Sequence, residues 1–573
     1  MAVGQLETAP SGCHSVSEGA KDVFNHLWES TKTELPMAFL KYFEQVLFLK
    51  YSRAGDTACF PCPLREQETV AALKALEGCA AAAIADLRGT APKRAISVTL
   101  ERVTSFLMST YITNIDGLDK CNPKTKERIP DTDLNQAQSN LYRRLSAGLY
   151  ETRNHGEFYH IHGSLDATTT LNMIGLPAFL PDLTNYRDCI DTIEGAVRRF
   201  SWVELEKLNG DYRQAGAPVL TNEKYKKTAH GQAMASLPLF TVQPLGPDTL
   251  PVPFAEFANG PNQCLQGLRV IELCRVIAGP TIGRSLAAHG ASVLKITSSQ
   301  LPDVPFFQLD VNIGKHTTSL NLKNADDVEI FESLLETADV IIDGYRPGVI
   351  ASLGYRSEDL AAKAARRGRG IVYVSEDCFG GSEIGAEWAG RPGWQQIADC
   401  VTGVAWEQGR FMGLNEPVVP PFPMSDYGTG CVGTIAALSG IYRRATEGGS
   451  WICRTSLSQY DIFLLSLGTY PTDVQDRLRR EHKAHFFELR HNDSVDEISQ
   501  RALASIRQLH PTLFANNMMQ SAYSEAYSGV VTWPKEPLEV EGIKIGYVRP
   551  TRPNGYDKPS WEDWESDETL LDA

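Results

Sequence analysis

Residues 267–296 read GLRVIELCRVIAGPTIGRSLAAHGASVLKI, and this stretch decides the fold. It opens on a short apolar run rich in β-branched residues (LRVIELC). A helix-like segment that begins on small residues follows (AGPTIGRSLAAHG), then a second apolar run (ASVLKI). Strand, helix and strand within about thirty residues make one βαβ unit. The rhythm continues downstream. HTTSLNL reads as a third strand, DDVEIFESLLETA as an amphipathic helix, DVIIDGY as a fourth strand and GRGIVYVSE as a fifth. Strands alternating with helices predict a parallel Rossmann-like α/β sheet, whose ligands sit at the carboxyl ends of the strands. The first strand-to-helix turn carries only Gly279, Gly283 and Gly290, so the dinucleotide fingerprint G-x-G-x-x-G is absent. G-x-x-x-x-G-K-[ST] and G-x-S-x-G are missing too. A dinucleotide oxidoreductase, a P-loop NTPase and an α/β-hydrolase are therefore poorly supported.

Upstream the pattern differs. Residues 238–263 are rich in proline and glycine and read as a connector, the best domain boundary in the chain. Before it, 67–89 is an alanine-rich helix whose small residues imply tight packing, and AISVTLERV (95–103) reads as a strand. GLYETRNHGEFYHIHG (148–163) is a hairpin turning at RNHG, and helices follow from about 168 to 210. Residues 1 to about 60 carry no clear pattern.

The chain has 573 residues, 42% apolar and 22% charged, with a net charge of −15. It is long enough for several domains and a sizeable core. The acidic balance argues against nucleic acid or an anionic membrane as the main partner. The N-terminus lacks the basic-then-apolar order of a signal peptide, and there is no run of 18 apolar residues, so a cytoplasmic protein is expected. The 12 cysteines are scattered, which implies reduced thiols. Cys59 and Cys62 form one C-x-x-C without a second pair, and no carboxylate is in register with His155, His160 and His162. No metal is expected. The acidic tail SWEDWESDETLLDA reads as a solvated end with two aromatic anchors.

Between the proline-rich EPVVPPFP and a long helical pattern lies FPMSDYGTG (422–430). By local rules Asp426 or Ser425 is an N-cap. These residues alone favour the cap; a carboxylate has a reference pKa of about 3.9 and is ionised at neutral pH, so a nucleophilic role for Asp426 would need no base. Gly428 and Gly430 would then offer N–H groups and room for a ligand.

From residue 267 onward, GLRVIELCRVIAGPTIGRSLAAHGASVLKI, GKHTTSLNLK, ADVIIDGYRPGVIASLGY, GIVYVSEDCFG, RPGWQQIADCVTGV, SDYGTG and RRATEGGSWICRTSLSQ stand in one order. Together they resemble the class III coenzyme A-transferases, the CaiB/BaiF group that includes formyl-CoA transferase and α-methylacyl-CoA racemase. The resemblance implies that fold: a Rossmann-like large domain with a smaller α+β domain. SAGLYETRNHGEFYHIHGSLDATTTLNMIGLP and SWVELEKLNGDYRQAGAPV resemble the family's small domain. The expected organisation is thus tandem, with residues 1–258 a degenerate copy (large-domain remnant plus a small domain at about 146–245) and 264–573 the catalytic copy. The two halves would form a pseudo-dimer within one chain, or a homodimer would form.

The resemblance further implies that coenzyme A passes from an acyl-CoA donor to a carboxylic acid through an aspartyl anhydride and an aspartyl-CoA thioester, with Asp426 as nucleophile and no permanently bound cofactor. It places coenzyme A against Arg275, Val276, Ile277, Ala278, Leu320, Gly344, Tyr345 and Arg346. Tyr345 would stack on adenine or be a core tyrosine; Arg275 and Arg346 would pair with phosphates or be solvated. Lys295 and Lys315 match basic positions of the family. Gln395, Trp394 and Gly428 are candidates for oxyanion binding or positioning, with the Gln395 amide donating to the Asp426 carboxylate or the oxyanion. Trp394 replaces the histidine that racemisation needs, and an indole cannot exchange an α-proton. An acyl-CoA racemase or isomerase, and a silent acyl-CoA-binding scaffold, are the alternatives.

Overall fold

The computed structural model describes residues 14–89, 93–257, 262–381, 384–385, 387–562 and 564. The end of the acidic tail and the extreme N-terminus lie outside the described residues. Among the described residues seven strands come from the first half: β1 (Val46–Leu49), β2 (Ile96–Thr99), β3 (Asn114–Ile115), β4 (Gly148–Glu151), β5 (Phe158–Ile161), β6 (Ala217–Pro218) and β7 (Thr241–Leu245). The predicted βαβ rhythm then appears as β8 (Arg269–Leu273), β9 (Ser292–Thr297), β10 (His316–Ser319), β11 (Val340–Asp343) and β12 (Val372–Asp377), joined by β13 (Ser450–Ser456). Three strands close the chain: β14 (Met519–Ser524), β15 (Gly529–Pro534) and β16 (Leu538–Val540).

The large sheet runs β10-β9-β8-β11-β12-β13-β7. Its first six strands are parallel, and β7 pairs antiparallel with β13 at the edge. The order reverses between β8 and β11, where Leu273 faces Asp343 in register. Such a switch point leaves a crevice beyond the carboxyl ends of both strands. The predicted α/β class is the observed one.

The expected connector is different. TVQPL within it forms β7 by pairing with β13, so the first half of the chain adds a strand to the sheet of the second. Pro244 is tolerated there because an edge strand has a free side. The strand expected over 95–103 also stops early. It ends at Thr99, and Leu100–Leu107 is a helix with Leu100, Val103, Phe106 and Leu107 buried, since its apolar spacing is helical. The hairpin is as read, β4 antiparallel to β5.

Helix Glu66–Asp86 is buried on every side. Ala, Gly and Cys along it permit close approach, and it packs against helix Met424–Thr446 and helix Val16–Thr31. Two of its carboxyl groups find partners in the second half: Glu77 contacts His289 at 2.9 Å, and the Tyr460 hydroxyl donates to Glu66 at 2.6 Å. A buried polar group is tolerated only when so bonded. The end of the chain runs back to the first half, β16 pairing with β2 and β15 with β3. Trp561 and Trp564, the two aromatic anchors, pack on the outer side of the large sheet. Cys59 and Cys62 are buried free thiols; burial pushes the Cys59 thiol up to about 12.

Candidate active site

A cleft of about 760 Å³ opens at the switch point. All eight residues expected to contact coenzyme A line it: Arg275, Val276, Ile277 and Ala278 from the turn after β8, Leu320 after β10, and Gly344, Tyr345 and Arg346 after β11. Asp426 and Trp394 line it too. Ser164, Asp166, Arg213 and Gln214, from the first half of the chain, line it as well.

The turn after β8 is strained. Val276 has φ 71°, a left-handed conformation that a β-branched residue rarely adopts. It sits just before helix Ala278–Ala288, so that the positive end of this helix meets the cleft. Phe422, four residues before Asp426, has φ 63°. Left-handed non-glycine residues cost on the order of 1–3 kcal/mol and cluster at functional sites. Here two of them flank one carboxylate.

Asp426 is not a helix cap. Helix Met424–Thr446 begins after Pro423 and has no side-chain cap bond. Ser425 is inside the first turn, and its hydroxyl donates to Asp399 Oδ1 at 3.1 Å. Asp426 is the third helical residue, half-buried on the cleft wall. Among the described residues no hydrogen bond engages its carboxylate; only its backbone N–H is held, by Gln395 Oε1 at 3.3 Å. A cap would spend its oxygens on the helix; this carboxylate borders the cleft instead.

Gln395 thus acts differently from the sequence expectation. Its amide nitrogen donates to Asp399 Oδ2 at 3.0 Å and to the Phe422 carbonyl at 3.3 Å. Both ends of the amide are committed, so it fixes the backbone of Asp426 and does not bond the carboxylate. Gly428 is a further correction. It lies inside the helix, and a Cβ there would fall 2.1 Å from the Tyr460 ring. Its smallness serves packing, and its N–H is turned into the helix. Gly430 similarly faces Thr281 at 2.5 Å. Lys295 and Lys315 do not reach the cleft either. Both are fully buried, Lys295 in β9 on Asn312 at 2.9 Å and Lys315, just before β10, on Glu272 at 2.6 Å.

Tyr345 is half-buried and carries the Arg275 guanidinium over its ring at 5.3 Å. Arg275 also donates to the Pro302 carbonyl at 2.7 Å. Arg346 is exposed at the rim. Trp394 precedes helix Gln395–Thr402. Its indole N–H donates to Ser164 Oγ at 2.9 Å, and its ring stacks on His162 at 5.3 Å. His160 stacks on His162 in turn, whereas His155 is exposed and paired with Glu151.

Sequence reading missed the acidic surroundings. Glu376, near the end of β12, also lines the cleft, and Asp399 and Asp461 are fully buried behind Asp426. Burial first, and Asp399 second, hold the Asp426 carboxyl well above the usual carboxylate range. The expectation of an unrepelled carboxylate is therefore corrected: Asp399 repels its charge, and the group holds its proton more tightly than a free carboxyl. Burial pushes Asp399 up to about 7, and Glu66, behind Tyr460, up to about 8. Spacing could not have revealed this, because Asp399 is on another helix and Glu66 in the other half of the chain.

These raised values carry a stability consequence. A carboxyl whose folded pKa exceeds its unfolded value binds its proton more tightly when folded, so stability falls as pH rises between the two values. For Glu66 the window runs from about 4.5 to about 8. The wild-type melting temperature is expected to fall from pH 6 to pH 9, and Glu66→Gln to remove part of that fall while keeping the Tyr460 bond. Thermal scans over this range check it; parallel slopes for the two proteins would refute the assignment.

The family described as CoA-transferase family III matches residues 265–486. Over 522 residues the chain is 33% identical to the acetyl-coenzyme A transferase nodX of Hypoxylon pulicicidum, an alignment covering 87% of this chain and 86% of that protein. An acyl-CoA transferase of Gibberella moniliformis is 31% identical over 420 residues, 72% of either chain. The human succinyl-CoA:glutarate CoA-transferase is 27% identical over 214 residues, 35% of this chain and 47% of that one. No helix among the described residues is long and apolar enough to cross a membrane. With one-third identity sustained over most of both chains, this protein belongs to CoA-transferase family III and is a CoA-transferase.

Proposed function

We propose that the protein moves coenzyme A from a short-chain acyl-CoA to a carboxylic acid, with Asp426 as the covalent nucleophile. The observation that carries this reading is the unbonded carboxylate of Asp426 on the cleft wall, its backbone N–H fixed by Gln395. In the first half-reaction a carboxylate oxygen attacks the thioester carbonyl. A C–O bond forms, the C–S bond breaks, and the CoA thiolate leaves an acyl-aspartyl anhydride. The thiolate then attacks the aspartyl carbonyl, expelling the acyl group as a free carboxylate and leaving aspartyl-CoA. An entering acid reverses these steps.

Coenzyme A lies along Arg275, Val276, Ile277, Ala278, Leu320, Gly344, Tyr345 and Arg346. The N-terminal end of helix Ala278–Ala288 favours negative charge developing nearby. Arg275 and Tyr345, already stacked on one another, present a flat cationic face for the nucleotide. Asp426 must lose its proton before it attacks, which the raised pKa makes costly at rest; once ionised and desolvated it is the stronger nucleophile. The names of the relatives, which act on acetyl-, acyl- and succinyl-CoA, support the donor class.

The domain arrangement follows the same reading: residues 1–258 are a degenerate copy, 264–573 the catalytic copy, and the first copy supplies the small domain that walls the site. The test is trapping. Incubation with acetyl-CoA, quenching with hydroxylamine and peptide mapping by mass spectrometry should place a hydroxamate on Asp426. Coenzyme A binding without any adduct would leave only the silent scaffold.

A further inference from the structure

Adjoining the cleft lies a second chamber of about 90 Å³, and Asp426 and Trp394 border both spaces. At roughly 10–15 Å³ for each water-sized group, it has room for about six to nine non-hydrogen atoms. Much of the wall is apolar, with Val276, Ile277, Phe307 and Val495 among its residues. The first half of the chain contributes a different kind of group: Arg144, with His162 beside it.

The charges around Arg144 do not balance. Its Nε donates to Asp496 Oδ2 at 3.0 Å. The same carboxylate is ion-paired with Lys120 and accepts from the Tyr111 hydroxyl at 3.2 Å. Two cations share one anion, and Lys120 is capped by the rings of Tyr111 and Phe307 at 4.3 and 5.2 Å. Among the described residues no hydrogen bond engages Nη1 or Nη2 of Arg144. His162 adds no charge, since burial and the neighbouring His160 and Arg144 hold its pKa well below the usual value. Its Nδ1 accepts from the Ser164 N–H at 2.9 Å, which leaves the proton on Nε2 as a donor. A guanidinium with both terminal nitrogens unbonded matches a carboxylate bidentately.

A transferase of the proposed kind releases one carboxylate and admits another in every cycle, each on the side of Asp426 away from the thiol. We infer that this chamber is the acid-exchange subsite, and that Arg144 holds the carboxylate of the departing and entering short-chain acid beside Asp426. The inference rests on the covalent reading above. The entering carboxylate attacks the aspartyl-CoA thioester, forming a C–O bond as the C–S bond breaks. The released thiolate then attacks the acyl carbonyl of the anhydride and frees Asp426.

Isotope exchange tests it without knowledge of the second acid. Each straight-chain acyl-CoA from acetyl to hexanoyl is incubated with its own labelled acid, and label entering the thioester is followed. Arg144→Gln is expected to raise the KM for the acid by at least about tenfold while the acyl-CoA dissociation constant stays within about twofold, with Arg144→Lys in between. Val495→Trp, which fills the chamber from the start of helix Val495–Leu509, is expected to abolish exchange and retain CoA binding. It also guards against loss of the Arg144–Asp496 pair unfolding the first variant. An acid KM in Arg144→Gln equal to wild type, or exchange at the wild-type rate in Val495→Trp, overturns the inference. A wild-type adduct on Asp426 alongside either result shows that only the inference has failed; no adduct with any donor overturns the covalent reading as well.

Discussion

Asp426→Asn is expected to lower transfer by at least about 10³-fold, the scale on which removing a covalent nucleophile acts, while leaving coenzyme A binding nearly unchanged. Two features make the substitution clean. The amide has the shape of the carboxyl group, and the carboxylate it replaces makes no hydrogen bond among the described residues. The backbone N–H bond to Gln395 is independent of the side chain. Steady-state rates together with calorimetric titration of coenzyme A separate the two effects; turnover within about tenfold of wild type would remove Asp426 from the mechanism. The wild-type pH profile belongs to the same argument. Burial and Asp399 hold Asp426 above the usual carboxylate range, and only the ionised form attacks. The acid limb of kcat/KM should therefore lie above ordinary carboxylate titration, with activity rising as pH rises. The same sign predicts that Asp426→Asn melts at a higher temperature than wild type in alkaline buffer, because the ionised carboxylate opposes folding there. Stability gained where activity is lost is the expected signature of a strained functional group.

The large sheet was legible in the sequence because its strands are buried on both faces, so each reads as a continuous β-branched run between turn signals. RVIEL, SVLKIT, VIID and VYVSED are such runs. β7 was not legible. Its TVQPL contains a proline and sits among other prolines, and only its pairing with β13 makes it a strand. Asp426 stood out through its family motif, but its chemistry did not. Asp399, which together with burial raises its proton affinity, is 27 residues away, and nothing in its own neighbourhood marks it. The same holds for Arg144 and His162, whose place beside Asp426 depends on how the two halves of the chain meet. Gly428 and Gly430 show the converse error. Glycines beside a candidate nucleophile suggest an oxyanion turn, yet here they are the places where Tyr460 and Thr281 press against a helix.

Residues 264–573 expressed alone should fail to give a folded enzyme, although they hold Asp426 and the whole parallel sheet. Three separations carry this expectation. Strand β13 loses β7, its antiparallel partner from Ser450 to Arg454, and becomes an exposed edge. Strands β16 and β15 lose β2 and β3, leaving unpaired N–H and C=O groups that invite aggregation. Helix Met424–Thr446, most of whose residues are buried, loses its packing against helix Glu66–Asp86, which exposes an apolar face of the kind soluble monomers avoid. His289 also loses Glu77, its buried partner at 2.9 Å. The fragment should enter the insoluble fraction, and its far-ultraviolet circular dichroism and coenzyme A binding should be absent or greatly reduced. Co-expression with residues 1–258 should recover a soluble complex, since strand pairing and helix packing between the halves are non-covalent and the cut falls beside the proline-rich segment. The recovered complex should also transfer coenzyme A, because Ser164, Asp166 and Gln214 would again wall the cleft. A soluble 264–573 fragment with full activity would show that the first half is dispensable, and the single-chain pseudo-dimer would have to be abandoned.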